Sequence, residues 1–193
     1  MGSQNCKRNP VEIMEEAVKA GINAFQFREK GNGCLTEEAK VELGRQLRAI
    51  CHRADIPFIV NDDVKLVKIL DADGIHVGQD DLPVESLRKI FPNKIIGLSV
   101  SNESEVANSP IALVDYIGAG PIFDTTTKLD AKATVGLEWI TTLRREFPDL
   151  PIVGIGGITI ENAASVIEAG ADGVSVISAI TAAPDIKRAV KLL

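Results

Sequence analysis

The chain has 193 residues, of which 45% are hydrophobic and only 4% aromatic, and its formal net charge at pH 7 is −6. This length fits a single domain over residues 1–193, and the aliphatic composition favours buried parallel strands over an aromatic-rich sandwich. The negative charge, without any lysine or arginine block, argues against a nucleic-acid or anionic-membrane surface.

The cysteines and the apolar runs indicate the cellular location of the protein. Cys6, Cys34 and Cys51 match no zinc or redox spacing, and their odd number argues against a disulfide framework. We therefore expect reduced thiols in a cytoplasmic protein. The sequence shows no signal-peptide pattern and no apolar run long enough to cross a bilayer, which favours the same location.

Short apolar runs alternate with amphipathic segments along the whole chain. The apolar runs predict strands at 23–28, 57–62, 74–78, 95–100, 116–122, 151–157 and 173–178. The amphipathic segments predict helices at 10–20, 35–54, 63–70, 83–90, 102–108, 137–147, 160–169 and 184–192. Thr36 and Thr159 are predicted helix starts, and Gly21 and Gly170 are predicted left-handed stops.

This strict alternation predicts right-handed βαβ units and a parallel sheet, so the class is α/β. Seven strands with eight helices are one strand short of a (β/α)8 TIM barrel, and the first helix begins at Pro10, so most of the first strand is the missing part. A doubly wound open sheet is the alternative fold. In a parallel barrel, ligands bind at the C-terminal ends of the strands, where we look for polar residues.

The first predicted strand ends in FQFREK, residues 25–30. Alternation places the two phenylalanines on one face and Gln26, Arg28 and Lys30 on the other. The phenylalanines should pack against helices, and the amide and the two cations should face the barrel top, where they suit an anionic ligand. The alternative is a surface ion pair between Arg28 and Glu29.

Acidic residues follow the next two strands. Asp62 and Asp81 should meet, because the ends of neighbouring parallel strands lie side by side. Carboxylates with waters and substrate phosphates usually hold Mg²⁺, and no cysteine or histidine cluster suggests a softer metal. Alternatively, Asp62, and Asp80 or Asp81, cap the helices that follow. His76, in the middle of a strand, is more consistent with a core histidine than with a catalytic one.

The segment GAGPIFDTTTKLD, residues 118–130, leaves a buried strand. Gly118 and Gly120 allow a close backbone approach. Thr125, Thr127 and Lys128 are residue types that bind anions, although a polar turn would look similar. Beside the cations and the aspartates, they suggest a site for a diphosphate and its metal.

A second anion site is predicted after the last two strands. Gly156 and Gly157 would expose backbone N–H groups at a helix start, and Ser178 follows the last strand. The loops after these strands form the recurring phosphate site of this fold. Ser99, at the end of the run 95–100, is weak evidence by itself.

Seven motifs together resemble the thiamine-phosphate synthase family: QFREK, NDD, DGIHVGQDD, GLS, GPIFDTTTKLDA, GIGGI and GVSVIS. They cover nearly the whole chain in the family's order. The related thiazole tautomerases differ at the lysine of QFREK and at the acidic pair of NDD and QDD, all of which this sequence keeps. The resemblance implies condensation of hydroxymethylpyrimidine diphosphate with thiazole phosphate, which releases diphosphate and gives thiamine phosphate.

The resemblance also implies roles for single residues and a Mg²⁺ cofactor held by Asp62 and Asp81. The residues implied for the pyrimidine diphosphate are Gln26, Arg28, Lys30, Asn61, Ser99 and Lys128. The residues implied for the thiazole phosphate are Thr125, Thr127, Gly157, Ile177 and Ser178. The residue types alone suggested that the threonines bind the diphosphate, whereas the resemblance implies that they bind the thiazole phosphate. Arg28, Ser99 and Lys128 would act closest to the departing diphosphate.

Two departures from the family accompany the resemblance. Ser101 stands where many members have a histidine. Residues 1–5 look like the tail of the family's first strand and the loop after it. Either the sequence is trimmed, or another segment or subunit fills the gap, which leaves a homo-oligomer open. The segment 124–134 is a hypothetical lid. The alternative functions are an inactive phosphate- or thiamine-binding barrel and a thiazole tautomerase.

Overall fold

The structure is a computed structural model that describes residues 1–125 and 133–193. Its strands are β1 (Phe25–Phe27), β2 (Phe58–Asn61), β3 (Gly74–Val77), β4 (Ile95–Val100), β5 (Tyr116–Ala119), β6 (Ile152–Ile155) and β7 (Gly173–Ser175). Its helices are α1 (Pro10–Ala20), α2 (Glu37–Arg53), α3 (Val64–Leu70), α4 (Val84–Ile90), α5 (Glu103–Ala107), α6 (Leu137–Glu146), α7 (Ala163–Glu168), α8 (Ser178–Thr181) and α9 (Ile186–Leu192).

The order of the strands in the sheet is their order along the chain, from β1 to β7. The register pairs Asn61 with His76 in the β2–β3 ladder and Ser99 with Gly118 in the β4–β5 ladder, and both ladders are parallel. A doubly wound sheet would break the sequential order. The α/β class and the strand order of a (β/α)8 barrel, with seven strands in the described residues, are therefore confirmed.

The chain divides into two compact units, the first unit with Met1–His76 and Ile177–Leu192 and the second unit with Val77–Val176 and Leu193. In the first unit, Ile13 and Ala17 of α1 form an apolar cluster with Ile186 of α9. In the second unit, strand residues such as Ile96, Ile117 and Ile152 are fully buried. The prediction of one domain over residues 1–193 stays a prediction.

One polar arrangement occurs three times in the described residues, at the starts of strands. The aspartate before β3, β5 or β7 accepts a hydrogen bond of 2.7 Å from a backbone N–H at the start of the preceding strand, and it pairs with an arginine of the helix that comes before that preceding strand. The three sets are Arg48–Asp73–Phe58, Arg88–Asp115–Ile96 and Arg144–Asp172–Ile152. Each set joins a helix to two neighbouring strands at the end opposite to the candidate site residues.

The predicted boundaries agree with the observed elements within a few residues, apart from one helix start. Gly21 ends α1 with φ 110° and donates to the Ala17 carbonyl, as predicted. The predicted helix start at Thr159 is wrong, because the Asn162 side chain closes a turn by accepting from the Thr159 N–H at 2.8 Å, and α7 begins only at Ala163. The short helix α8 was not predicted.

No helix in the described part of the chain is long and apolar enough to span a membrane. The cytoplasmic location, the homo-oligomer and the lack of a nucleic-acid partner stay predictions from the sequence.

Candidate functional site

The end of β1 carries the first candidate residues. Phe25 and Phe27 are buried, and their rings lie 5.8 and 5.9 Å from that of Phe58. Gln26 and Arg28, on the opposite side of the pleat, are half-buried. The Arg28 guanidinium has no hydrogen bond or ion pair with residues 1–125 or 133–193. A guanidinium that has no ionic partner among these described residues suits an anionic ligand.

Glu29 does not form the surface ion pair with Arg28 that was the alternative for this segment. Its side chain is buried, and its carboxylate accepts hydrogen bonds from the N–H of Ser3 (2.7 Å), the hydroxyl of Ser3 (2.6 Å) and the N–H of Leu35 (3.0 Å). The sequence shows only that Glu29 lies between two cations, and this position did not predict that the residue is buried.

Lys30, Asn61 and Asp62 meet where β1 and β2 end. The Lys30 ammonium lies 2.5 Å from Asp62 Oδ2, and the Asn61 amide donates to the same oxygen at 2.8 Å. Asp62 has φ 53°, a left-handed conformation that aspartate adopts more readily than most residues. Its N–H donates to the carbonyl of the buried His76 at 2.9 Å, which holds the turn.

Asp62 is not the helix cap that was its alternative role. The cap of α3 is the next residue, Asp63, whose Oδ1 accepts from the Leu66 N–H at 2.9 Å. Asp62 Oδ1 has no hydrogen-bond partner in the described residues. Asp63 therefore caps the helix, and Oδ1 of Asp62 remains available to a ligand.

In the second unit, Asp81 is not a helix cap either, because its side chain contacts the backbone of its own loop. Its Oδ2 accepts from the Gly78 N–H at 2.8 Å, and the residue at the start of α4, Pro83, receives no side-chain cap. In the same loop, the Gln79 amide donates to the Ser99 carbonyl at 2.9 Å. Sequence reasoning missed Gln79, which ties this loop to the end of β4.

The oxygen donors fit a hard divalent cation. Asp62 and Asp81 each keep Oδ1 without a hydrogen-bond partner in the described residues. Those residues include no group of three or more His, Cys, Asp or Glu side chains that could hold a metal. Mg²⁺ is commonly held by one or two carboxylates with waters and substrate phosphates, so the carboxylate of each aspartate is a suitable type of ligand for it.

The glycines of the second unit allow two loops to pack closely. A Cβ on Gly120 would lie 2.2 Å from the Ile155 carbonyl oxygen, and one on Gly157 would lie 2.5 Å from the Asp124 carbonyl oxygen. Phe123 N–H donates to the Gly156 carbonyl at 3.1 Å. The prediction that Gly156 and Gly157 start a helix is wrong, since α7 begins at Ala163. The role of the Gly157 N–H towards phosphate stays a prediction.

Thr127 and Lys128 lie outside the described residues, as does most of the hypothetical lid 124–134. At its described ends, the Thr134 hydroxyl donates to Asp124 Oδ1 at 2.6 Å, and Val135 N–H donates to the Pro121 carbonyl at 2.9 Å. Thr125 is half-buried. These contacts join the base of the segment, and the lid stays a prediction.

The remaining candidate residues lie at the end of β4 and at the start of α8. Ser99 is half-buried in β4, and Ile177 and Ser178 form the start of α8, where the Thr181 N–H donates to the Ile177 carbonyl at 2.9 Å. Ser101 N–H and hydroxyl both donate to Glu105, which fastens the start of α5. Ser101 therefore has a structural role that accounts for a small polar residue there.

The chain is similar to known proteins over most of its length. A model of the family described as thiamine monophosphate synthase matches residues 1–180. The chain belongs to this family. A thiamine-phosphate synthase of Oceanobacillus iheyensis is 64% identical over 193 residues, covering 100% of this chain and 94% of that protein, and one of Streptococcus suis is 48% identical, covering 100% and 84%.

Solved structures agree with this assignment. Thiamine phosphate pyrophosphorylase from Pyrococcus furiosus superimposes with a TM-score of 0.87 at 36% identity, over 100% of this chain and 90% of that one. The predicted resemblance is confirmed, and this member of the thiamine monophosphate synthase family is an enzyme of the transferase type, with small molecules as substrates.

Proposed function

We propose that the chain catalyses the Mg²⁺-dependent condensation of hydroxymethylpyrimidine diphosphate with thiazole phosphate to give thiamine phosphate and diphosphate. Family membership supports the reaction. The observation that carries the proposal is the cluster at the ends of β1 and β2, where Lys30 and Asn61 both contact Asp62 Oδ2. A cation, an amide and a carboxylate in this contact match the needs of a metal–diphosphate substrate.

The proposed reaction is a dissociative substitution at carbon. The C–O bond between the pyrimidinylmethyl carbon and the diphosphate breaks, and both electrons leave with the diphosphate. The ring's amino group stabilises the resulting pyrimidinylmethyl cation. The lone pair of the thiazole nitrogen then forms the new C–N bond. The reaction needs neither a strong nucleophile nor a general base, so catalysis depends on positioning and on stabilisation of charge.

The residues divide between the two substrates. Arg28, Lys30 and Lys128 hold the diphosphate and balance its developing charge, and Ser99 contacts it near the reacting centre. Gln26 and Asn61 orient the pyrimidine. The residues proposed for the thiazole phosphate are Thr125, Thr127, Gly157, Ile177 and Ser178. Asp62 and Asp81 would hold Mg²⁺, which when bound would neutralise negative charge on the leaving diphosphate.

The proposal is tested by measuring thiamine phosphate formation from the two substrates, with Mg²⁺ and with excess chelator, using mass spectrometry for detection. We expect product only when both substrates and the metal are present, with one diphosphate released per thiamine phosphate. Product formed without the metal would contradict the cofactor. No product from a folded sample would contradict the reaction and favour an inactive binding protein.

A further inference from the structure

Glu29 is a buried carboxylate between two candidate diphosphate ligands. The residue is 8% exposed, while Arg28 before it and Lys30 after it reach solvent to a greater extent. A charge is normally buried only where hydrogen bonds compensate its lost hydration. We infer that Glu29 is a positioning residue that fixes the backbone carrying Arg28 and Lys30 for binding a diphosphate group. This inference rests on the proposed function, which gives both cations to the diphosphate.

The hydrogen bonds of Glu29 connect two separate segments of the first unit. Oε2 accepts from the Ser3 N–H at 2.7 Å, and Oε1 accepts from the Ser3 hydroxyl at 2.6 Å and the Leu35 N–H at 3.0 Å. Ser3 precedes α1, and Leu35 precedes α2. One carboxylate therefore joins the segment before α1 to both ends of the loop between β1 and α2.

The residues next to Ser3 hold the backbone on either side of Glu29. The Gln4 amide nitrogen donates to the carbonyls of Arg28 (3.1 Å) and Lys30 (3.2 Å). A Cβ on Gly2 would lie 2.2 Å from the Arg28 carbonyl oxygen and 2.8 Å from Glu29 Oε2, so only glycine permits this approach. The cations thus project from a backbone that is ordered before the ligand arrives, which lowers the entropic cost of binding.

Glutamine cannot replace Glu29 without loss. In one orientation its amide NH₂ would face the Ser3 N–H, and in the other it would face the Leu35 N–H, so a donor would meet a donor in either case. The shape of the side chain is nearly unchanged. Glu29→Gln therefore disturbs the hydrogen bonds that fix residues 28–30 and leaves the packing intact.

The test compares Glu29→Gln with wild type and with Glu38→Gln, the same chemical change on an exposed residue of α2. The measurements are the KM of each substrate and the Kd of inorganic diphosphate with Mg²⁺, all well below the melting temperatures. Changing a residue that orients a metal ligand typically costs about 10- to 100-fold in metal affinity or activity, and a residue that orients two diphosphate ligands should have a similar effect. We expect an increase in this range in the KM and Kd of the diphosphate compounds, with an unchanged KM for thiazole phosphate.

Two further variants keep the inference testable if Glu29→Gln fails to fold. Ser3→Ala removes one of the three hydrogen bonds and should shift the same constants in the same direction by a smaller factor. Gly2→Ala changes no charge but pushes a methyl group against the Arg28 carbonyl, and we expect the same selective loss. An equal change for both substrates, or a lower melting temperature with unchanged diphosphate affinity, would mean that Glu29 only stabilises the fold.

The same experiment separates this inference from the proposed reaction. A wild-type protein that binds diphosphate but makes no thiamine phosphate would overturn the reaction, and the ratio of Kd values between Glu29→Gln and wild type would still decide the role of Glu29. A wild-type protein that does not bind diphosphate would overturn both.

Discussion

The Lys30 ammonium and the Asp62 carboxylate form an ion pair of 2.5 Å between the ends of β1 and β2. The family resemblance implies that Lys30 binds the diphosphate and that Asp62 binds Mg²⁺. The two residues of the ion pair would therefore bind the anion and the cation of one metal–diphosphate complex. If the chain binds that complex as proposed, the metal would offer Asp62 a new cation and the diphosphate would offer Lys30 a new anion. The pair can therefore exchange partners without leaving either charge uncompensated.

Asp62→Asn should separate the metal role from the fold. Asparagine tolerates the left-handed backbone at φ 53° but offers the metal no negative charge. We expect the apparent Mg²⁺ affinity to fall by at least about 10-fold, since even changes around a metal ligand cost that much. The measurement is the reaction rate as a function of Mg²⁺ concentration.

The matched control for this prediction is Asp63→Asn. Asparagine caps helices as well as aspartate does, so the hydrogen bond to the Leu66 N–H should survive and the Mg²⁺ dependence should not change. Equal losses in the two variants would show that a general charge effect, and not ligation by Asp62, sets the metal affinity.

Gly157→Ala should disturb the contact between the two loops of the second unit. The new Cβ would meet the backbone of Phe123 and Asp124, and the residue has φ 66°. Gly136→Ala is the control, because Gly136 has φ 75° but no atom of the described residues within 4 Å of an added Cβ, apart from its chain neighbours. We expect Gly157→Ala to lower the free energy of unfolding by about 1–3 kcal/mol more than the control, which is the usual cost of overpacking.

Urea unfolding measures this difference, and kinetics measure its functional effect. We expect the KM of thiazole phosphate to rise more in Gly157→Ala than in Gly136→Ala, because the family resemblance assigns Gly157 to that substrate. Equal destabilisation in both variants would show that the loops can move apart without lowering the free energy of unfolding.

Asp115→Ala should lower the free energy of unfolding without changing the kinetics of the reaction. The aspartate accepts from the N–H of the fully buried Ile96 and pairs with Arg88, each at 2.7 Å. Leaving a buried N–H unpaired typically costs about 1–3 kcal/mol. We expect this loss in urea unfolding, with KM values unchanged, because the network lies at the opposite end of the strands from the candidate site.

Asp149→Ala provides the comparison for Asp115→Ala. Asp149 is exposed and makes no hydrogen bond or ion pair within the described residues, so its removal should change the free energy of unfolding by less than about 0.5 kcal/mol. A loss as small as this in Asp115→Ala would show that the repeated aspartates contribute little.

The thiols should differ in reactivity. Burial raises the pKa of the Cys51 thiol from 9.0 to about 12, whereas Cys34 is exposed. Iodoacetamide at pH 8 should therefore label Cys34 in the native protein and Cys51 only after unfolding, as read by peptide mass spectrometry. Labelling of native Cys51 at the rate of Cys34 would contradict its burial.

The same pKa shift predicts a pH dependence of stability. The unfolded chain releases the Cys51 proton near pH 9, but the folded chain retains it up to about pH 12. The contribution of this thiol is fully present below pH 9, and the free energy of unfolding falls as pH rises from 9 to 12. Cys51→Ala should remove this part of the pH dependence, whereas Cys34→Ala should leave it in place.

Local patterns in the sequence predicted the fold class and most of the candidate residues. Apolar runs and their spacing depend only on neighbouring residues, so the strand–helix alternation and the side of β1 that carries Gln26 and Arg28 could be predicted. The different roles of Asp62 and Asp63 could not be predicted, because both are aspartates and an aspartate at either position could cap the helix. Only the left-handed backbone of Asp62 and the bond from Leu66 N–H to Asp63 decided these roles.

By itself, the sequence determined the parallel α/β fold, the family and the set of polar residues at the strand ends, since each of these follows from residue types in order along the chain. Only the tertiary structure decided what Glu29 and Gly157 contact. Their partners, Ser3 and Phe123, are distant in sequence, and a hydrogen bond or a close packing contact depends on where two separate segments meet.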